Sequence, residues 1–336
     1  MIQRAGRYTQ IFTTRPIVAA YASTVGKKEG EGPLADQFDT IQDDNTFGEK
    51  TWEKSESRMQ KDTVSKALEK AGITAGNVDY LFAGDLLNQC IGSTFGLREF
   101  NIPFFGLFGA CSTMAESLGL ASLMVEANAA STCVAVTSSH FCTAERQFRM
   151  PLEYGGQRPP SAQWTATACG ATVVRNTGSG PFVSGITTGK IVDLGIKDAN
   201  NMGAAMAPAA ADTIKTFFDD TGKSPSEFDL IITGDLGEFG SKLLADLLQK
   251  EGITLGKRQA DCGLMIYDQK KQDVHAGASG CGCSAAVLCS YLLNNIKSGK
   301  LKEVLFIGTG ALMSTTSSQQ GESIPGIAHL VWLSAQ

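Results

Sequence analysis

Cys111 is the residue whose surroundings most clearly predict chemistry. It follows an apolar run and a Gly-containing turn, and it precedes an apolar helix pattern over residues 112–128. A thiol at the start of a helix lies near the positive end of the helix dipole and near unpaired N–H groups, which favour the thiolate. The pattern predicts a nucleophile or an anion site at Cys111, with Ser112 beside it. The alternative is a small buried cysteine in a packed turn.

A glycine-rich loop over residues 277–284 is the second candidate. It contains Gly280, Cys283 and Ser284 and leads into a helix pattern over residues 283–298. Successive backbone N–H groups before a helix can bind an anion. The alternative is that these small residues allow two central helices to pack closely.

Two arginines are candidates for binding carboxylates. Arg146 and Arg149 are three residues apart, so on a helix they would share a face. Guanidinium groups can bind carboxylates bidentately. The alternative is a surface role, in ion pairs with Glu145 or Glu153.

The chain has three histidines. His140 follows Ser139 at the end of a predicted strand, where it either faces the same pocket or packs in the core. His275 begins a His-Ala-Gly-Ala-Ser-Gly run and is either a base for Cys111 or a residue that lines the pocket. His329 lies in the last strand pattern and is expected to be structural.

Apolar runs of strand length alternate with longer helical patterns, which is typical of an α/β fold with a mostly parallel sheet. Strands are predicted over residues 16–21, 78–83, 104–108, 132–137, 166–174, 230–233, 262–267, 304–307 and 328–333. Helices are predicted over residues 58–71, 112–128, 209–220, 241–251 and 283–298. Gly72, Gly222, Gly252 and Gly299 are expected to end helices in the left-handed conformation.

An internal repeat indicates duplication. Residues 62–86 match residues 212–236 without a gap, and both stretches close on Gly-Asp-Leu. A weaker match pairs the Cys111 turn with the glycine-rich loop. Duplication of an α/β unit predicts two pseudo-symmetric halves, residues 1–178 and 179–336. Their equivalent loops would face each other at the strand ends, where ligand sites of α/β sheets occur.

Charge and composition exclude several classes of function. The formal net charge of −5 argues against nucleic-acid binding, whose affinity comes largely from neutralising phosphates. Nine cysteines, most of them in apolar runs, predict reduced buried thiols. No stretch reads as a transmembrane helix. No dinucleotide, phosphate-loop or four-ligand zinc motif is found, so neither a cofactor nor a metal is expected.

The stretch GACSTMAESLGLASLMVEANAASTCVAVTSSH resembles the nucleophile region of the thiolase superfamily, especially the type III ketoacyl-acyl-carrier-protein synthases. This resemblance implies a duplicated five-layered αβαβα body, usually a homodimer, with Cys111 as the nucleophile. Such synthases carry a histidine and an asparagine just after the strand that corresponds to residues 230–233. These positions fall on Gly234 and Gly237, and a second asparagine falls near Gly282. Decarboxylative condensation would therefore lose its base and its polar donors.

Three further stretches, TWEKSESRMQKDT, SSHFCTAERQFRMPLEYGGQRPPSAQWTATACGA and ASGCGCSA, resemble a narrower thiolase-fold family, stage V sporulation protein AD of spore-forming bacteria. The resemblance implies a catalytically silent protein that binds dipicolinic acid, as the free acid or the calcium chelate, in the former active-site cleft. It also implies membrane-protein partners from the same operon and a peripheral place at the forespore or spore inner membrane. The residues expected to bind the ligand are Cys111, Ser112, Ser139, His140, Arg146, Arg149, His275, Gly280, Cys283 and Ser284.

Two other functions stay open on the sequence. One is an active acyltransferase or condensing enzyme with Cys111 as nucleophile and His275 as base. The other is an assembly scaffold whose cleft is vestigial.

Overall fold

Fifteen strands and eleven α-helices make up the described part of the chain, residues 2–148 and 158–335 of a computed structural model. The strands are β1 (Ile2–Ala5), β2 (Thr9–Phe12), β3 (Ile17–Gly26), β4 (Thr40–Gln42), β5 (Tyr80–Gly84), β6 (Phe104–Gly106), β7 (Thr132–Ser139), β8 (Trp164–Thr165), β9 (Ala168–Arg175), β10 (Phe182–Thr187), β11 (Leu230–Thr233), β12 (Gln259–Asp261), β13 (Ala278–Ser279), β14 (Glu303–Ala311) and β15 (Gly326–Ser334). The helices are α1 (Lys27–Gly30), α2 (Trp52–Ala71), α3 (Ile91–Leu97), α4 (Thr113–Glu126), α5 (Phe141–Phe148), α6 (Met202–Thr221), α7 (Gly237–Lys250), α8 (Cys262–Met265), α9 (Cys281–Val287), α10 (Leu293–Lys297) and α11 (Thr315–Gln319).

The strands form two five-stranded blocks of equivalent order and direction. The first block is β6-β5-β7-β9-β3 and the second is β12-β11-β14-β15-β10. In each block the first two pairings are parallel and the last two are antiparallel. The blocks meet where Ile17 of β3 pairs with Phe182 of β10. A repeated order of this kind agrees with the sequence repeat, while the boundary between residues 178 and 179 stays a prediction.

Five layers result from the way the helices cover these blocks. Helices α4 and α9 lie between the two blocks and share one apolar core with both, including Leu118 and Leu288. Helix α2 covers the outer face of the first block through Met59, and α6 covers that of the second through Phe217. The expected five-layered αβαβα architecture is confirmed.

The N-terminal end of α2 shows where apolar periodicity falls short. The helix was predicted from residue 58 but begins at Trp52, with the Thr51 side chain accepting a hydrogen bond from Lys54 N as the N-cap. The residues that its first turns bury include the polar Ser55 and Glu56. Because these side chains are polar, the apolar pattern starts a turn and a half too late.

Two other elements differ from their prediction. The strand predicted over residues 262–267 is wrong, since Cys262–Met265 form a single helical turn. Periodicity cannot separate a strand from a buried helical turn in so short an apolar run. Helix α6 was predicted from residue 209 but begins at Met202 and continues through Pro208. The prediction started after Pro208 because proline disfavours a helix interior.

The predicted left-handed glycines are confirmed, with φ of 66° at Gly72 and 68° at Gly222. Within residues 2–148 and 158–335 we find no helix of the length and apolar character that a bilayer span requires.

Candidate functional site

The Cys111 turn is held by its own side chains and by a close approach of β14. Ser112 Oγ donates to Gly109 O at 2.7 Å, and Thr113 Oγ1 donates to Ala110 O at 2.6 Å. A Cβ atom at Gly310 of β14 would lie 2.4 Å from Gly109 O, so only glycine permits this approach. The second block therefore presses directly against the turn that carries the thiol.

Asp235 is the group that the second half brings to the Cys111 thiol. This carboxylate is fully buried just after β11. It accepts hydrogen bonds from Gly280 N (2.8 Å), Ser279 Oγ (3.3 Å) and Thr309 Oγ1 (2.8 Å). The Cys111 thiol also hydrogen-bonds to it and lies 3.9 Å from Ser279 Oγ. The thiol is thus one donor in a ring of donors around a buried acid.

This arrangement holds the thiol in its neutral form. Burial raises the pKa of Cys111 well above its ordinary value, and the charge of Asp235 raises it further. Burial also raises the pKa of the Asp235 carboxyl, and the hydrogen bond from Gly280 N opposes that shift. The prediction that the helix dipole favours a thiolate at Cys111 is therefore wrong. At a site with little water the desolvation cost exceeds the dipole's contribution.

The three histidines make their contacts elsewhere. His140 is buried, its Nε2 lies 2.8 Å from Asn45 O, and its ring packs 5.5 Å from the Trp52 ring. His275 has its Nε2 3.5 Å from Asp273 Oδ1 at a partly exposed loop position. Neither residue lies among those that line the pocket at Cys111. The structure therefore does not bring the proposed base His275 to the thiol.

A narrow pocket, with a cavity volume of about 30 Å³, lies beside the Cys111 turn. Its walls are mainly apolar, and Phe108 and Phe148 contribute aromatic rings to it. Glu145 and Thr165 form a polar wall, where Thr165 Oγ1 donates to Glu145 Oε1 at 3.2 Å. A slot with apolar faces and one polar side suits a flat ligand with polar substituents.

Arg158 does not line this pocket itself but pairs with Glu145, which does. Its Nη2 lies 2.8 Å from Glu145 Oε1, and its Nη1 donates to Gln163 O at 2.8 Å. The guanidinium lies 4.9 Å from the ring centre of Trp164 and 5.3 Å from that of Phe141. These contacts leave its side chain only 19% exposed, which fixes the charge in place.

The sequence comparisons identify the family. The profile of the family described as stage V sporulation protein AD (SpoVAD) matches residues 6–334. Stage V sporulation protein AD of Bacillus subtilis (strain 168) is 45% identical over 324 residues, which cover 96% of each chain. The chain belongs to the SpoVAD family.

Solved structures show the fold that this SpoVAD-family protein shares with condensing enzymes. OleA of Xanthomonas campestris aligns with a TM-score of 0.60 at 13% identity, covering 96% of this chain and 99% of that one. The 3-oxoacyl-[acyl-carrier-protein] synthase III of Aquifex aeolicus VF5 aligns with a TM-score of 0.58 at 12% identity, covering 95% and 99%. These likenesses concern the fold alone.

The three glycines at which the resemblance places the histidine and asparagines of the synthases are closely packed in this SpoVAD-family protein. A Cβ atom at Gly234 would lie 3.2 Å from Thr309 N, before any imidazole were added. Gly237 has φ of 63°, and its Cβ would lie 2.5 Å from Ala276 O. At Gly282 the nearest backbone carbonyl would be 2.1 Å away. A side chain at Gly237 or Gly282 would therefore require the backbone to move, and one at Gly234 would require its neighbours to shift slightly.

Several of the predicted ligand residues have other partners. Ser139 Oγ donates to Ala166 O at 2.7 Å, and Ser284 Oγ donates to Cys281 O at 3.2 Å. Ser112 holds its own turn, as described above. Cys283 is a buried core residue. The prediction of an anion-binding site at the glycine-rich loop is corrected, because the Gly280 N–H already donates to a carboxyl group of the chain itself, that of Asp235.

The predicted arginine pair is not supported. Arg146 is half exposed and forms an ion pair with Glu53 of α2, away from the pocket. Arg149 lies outside the described residues. Glu145 turns inward instead and pairs with Arg158.

Sequence reasoning missed Asp235, Glu145 and Arg158. Asp235 had a signal, since the repeat places Gly-Asp-Leu after a strand in both halves. Arg158 had none, because it follows a polar stretch without periodicity and acts only through contacts distant in sequence. All nine cysteines are free thiols, eight of them buried, as predicted.

Proposed function

We propose that this SpoVAD-family protein is a non-catalytic receptor that binds dipicolinic acid in the pocket beside Cys111. The observation that carries the proposal is the pairing of Cys111 with Asp235. A thiol kept protonated by a buried carboxylate is a poor nucleophile, yet the pocket above it stays open. The former cleft is thus able to hold a ligand without transforming it.

The polarity and the aromatic lining of the pocket agree with this ligand, for which the pocket would have to widen. Dipicolinic acid is a flat pyridine with two carboxylates. Its ring can pack against Phe108 and Phe148, and aromatic contacts of this kind favour offset stacking. One carboxylate of the ligand can form hydrogen bonds to the Arg158 guanidinium, which pairs with Glu145. The Glu145 carboxylate can coordinate the metal of a calcium chelate.

Isothermal titration with dipicolinate, with and without calcium, tests the proposal on the full chain. We expect saturable binding that Arg158→Ala weakens at least about tenfold, since the variant removes the cation and leaves Glu145 uncompensated. Arg146→Ala is the matched control, because that arginine faces Glu53 on the surface. Absence of saturable heat at millimolar ligand, or equal loss in both variants, would contradict the proposal.

An acyl-transfer enzyme predicts a different result. Incubation with acyl-coenzyme A would then add an acyl group to Cys111, which intact-mass spectrometry detects. We expect an unchanged mass, because the described contacts of Cys111 include a carboxylic acid and a hydroxyl but no imidazole.

We also propose that the protein acts in the assembly that takes up dipicolinic acid at the forespore membrane, with membrane proteins of the same operon as partners. Membership of a sporulation family supports this setting. A chain whose described helices cannot span a bilayer would reach the membrane through such partners.

A homodimer through the outer edge of β6 is the last part of the proposal. Strand β6 lies at one end of the first block and exposes Phe104 and Phe105 by 41% and 44%. An edge strand with exposed aromatic side chains favours pairing with another chain. The equivalent edge of a second copy is the natural partner.

Light scattering on a sizing column should therefore give twice 35.5 kDa for the wild type. Phe104→Lys should shift the protein to monomer, because a charge at the edge opposes pairing. Phe239→Lys, at a phenylalanine of similar exposure on α7, should leave the mass unchanged. A monomeric wild type, or a Phe104→Lys variant that stays dimeric, would exclude this interface.

A further inference from the structure

A second cavity lies on the other side of the Cys111 turn, between α4 and the paired strands β10 and β15. Its volume is about 110 Å³. Leu120 of α4, Ile186 of β10 and Leu330 of β15 give it apolar walls. Glu116 and His329 bring the two ionisable groups that face it. None of these residues takes part in the dipicolinate pocket.

Glu116 is one of the two charged residues of the mainly apolar helix α4, the other being Glu126 at its end. It lies in the first turn of α4, beneath Gly109, and its Oε2 is completely buried without a hydrogen-bond partner among the described residues. Buried carboxylate oxygens in proteins are nearly always hydrogen-bonded, and one left without a partner is unfavourable. An acid at this position therefore requires an explanation beyond packing.

His329 does not supply the missing positive charge. Its Nδ1 accepts a hydrogen bond from Gly189 N at 3.3 Å, so the proton of the neutral ring lies on Nε2. Burial lowers the pKa of His329 to about 4, which keeps the ring neutral near pH 7. No lysine or arginine lines this cavity in residues 2–148 and 158–335. Burial also raises the pKa of Glu116, as expected for an acid without a neighbouring cation. The cavity thus has one acidic group and no counter-charge, and a bound cation would favour its ionised form.

The chemistry of these walls selects the class of ligand. An anionic ligand would find no cation and would be repelled by Glu116. A neutral apolar ligand would leave the carboxylate oxygen unpaired. An ammonium group supplies both a charge and hydrogen-bond donors to Glu116, and a short alkyl chain fills the space along Leu120 and Ile186. We propose that this cavity is a binding site for a small primary amine, with Glu116 as its counter-ion.

Calorimetric titration of the full chain with n-butylammonium tests the site, with n-butanol as a neutral probe of the same shape. We expect saturable binding of n-butylammonium and at least about tenfold weaker binding of n-butanol. Glu116→Gln should weaken n-butylammonium binding by a similar factor, because it removes the charge and keeps the size. Glu99→Gln, at an exposed surface pair with Lys61, should have no effect.

Three results would overturn the site: no saturable binding of n-butylammonium, equal binding of both probes, or binding that Glu116→Gln leaves unchanged. Leu120→Phe provides a second variant that keeps Glu116 and should block the cavity by filling it. Dipicolinate titration of the same variants serves as the folding control, since the first pocket shares none of these residues.

Discussion

Replacing Asp235 with alanine should lower the free energy of unfolding by about 3–5 kcal/mol. The substitution leaves a buried N–H at Gly280 and hydroxyls at Ser279 and Thr309 without their acceptor. Each unsatisfied buried donor costs about 1–3 kcal/mol, and rotation of the hydroxyls recovers part of this. Urea denaturation followed by circular dichroism measures the loss.

Asp219→Ala is the matched control for this prediction. Asp219 forms an exposed pair with Lys215 one turn away on α6, and such pairs contribute at most about 0.5 kcal/mol. The loss of stability for Asp235→Asn should be intermediate, because its amide oxygen can replace only one of the two carboxylate oxygens that accept these hydrogen bonds. If Asp235→Ala loses no more stability than the control, Asp235 is not the centre that holds the two halves of the site together.

Replacing Glu56 with glutamine should remove much of the pH dependence of stability. Glu56 is buried in α2, where its carboxyl oxygens accept from Ser138 Oγ (2.8 Å) and Thr143 Oγ1 (2.7 Å). Burial, together with the neighbouring Asp85 carboxylate, raises its pKa to about 8. The folded protein therefore binds this proton more tightly than the unfolded chain, in which the pKa is near its ordinary value of 4.5.

The sign of the effect follows from linkage. Between about pH 4.5 and pH 8 the folded state holds the Glu56 proton and the unfolded state releases it, so stability falls as the pH rises. Glutamine mimics the protonated acid at every pH. We expect wild type and Glu56→Gln to differ little at pH 5, and the variant to be more stable by about 3 kcal/mol at pH 8.

Urea denaturation at a series of pH values measures both curves. Glu99→Gln at the surface is the control and should parallel the wild type. A residual slope is expected in the variant, because burial also raises the pKa of Asp261, to about 7. Parallel curves for Glu56→Gln and wild type would show that Glu56 is ionised in the folded protein.

Much of this molecule can be predicted from local sequence. The Cys111 turn, strand β11 and the left-handed glycines depend on apolar runs and on backbone preferences of neighbouring residues. The repeat predicts equivalent strand order in two halves, and the blocks of the structure have that order. The sequence also shows directly that Gly234 and Gly237 stand where the resemblance to the synthases would place a histidine and an asparagine.

The group that lies beside the thiol in place of an imidazole could not be predicted from local sequence. Asp235 is next to Gly234 in sequence, but its role depends on donors supplied by β13, α9 and β14, which lie far along the chain. The same holds for Arg158, which reaches Glu145 across a segment without periodicity.

The sequence by itself determined the α/β layers, the duplicated order of strands and the position of the thiol, while only the structure showed that His275 does not reach it. Only the tertiary structure decided the protonation state of that thiol, since the helix dipole and desolvation act in opposite directions and burial sets which is larger. It also decided which arginine pairs with the pocket residue Glu145, which is Arg158 and not the neighbouring Arg146. Electrostatic interactions depend on distance and burial in three dimensions, and the order of residues along the chain gives neither directly.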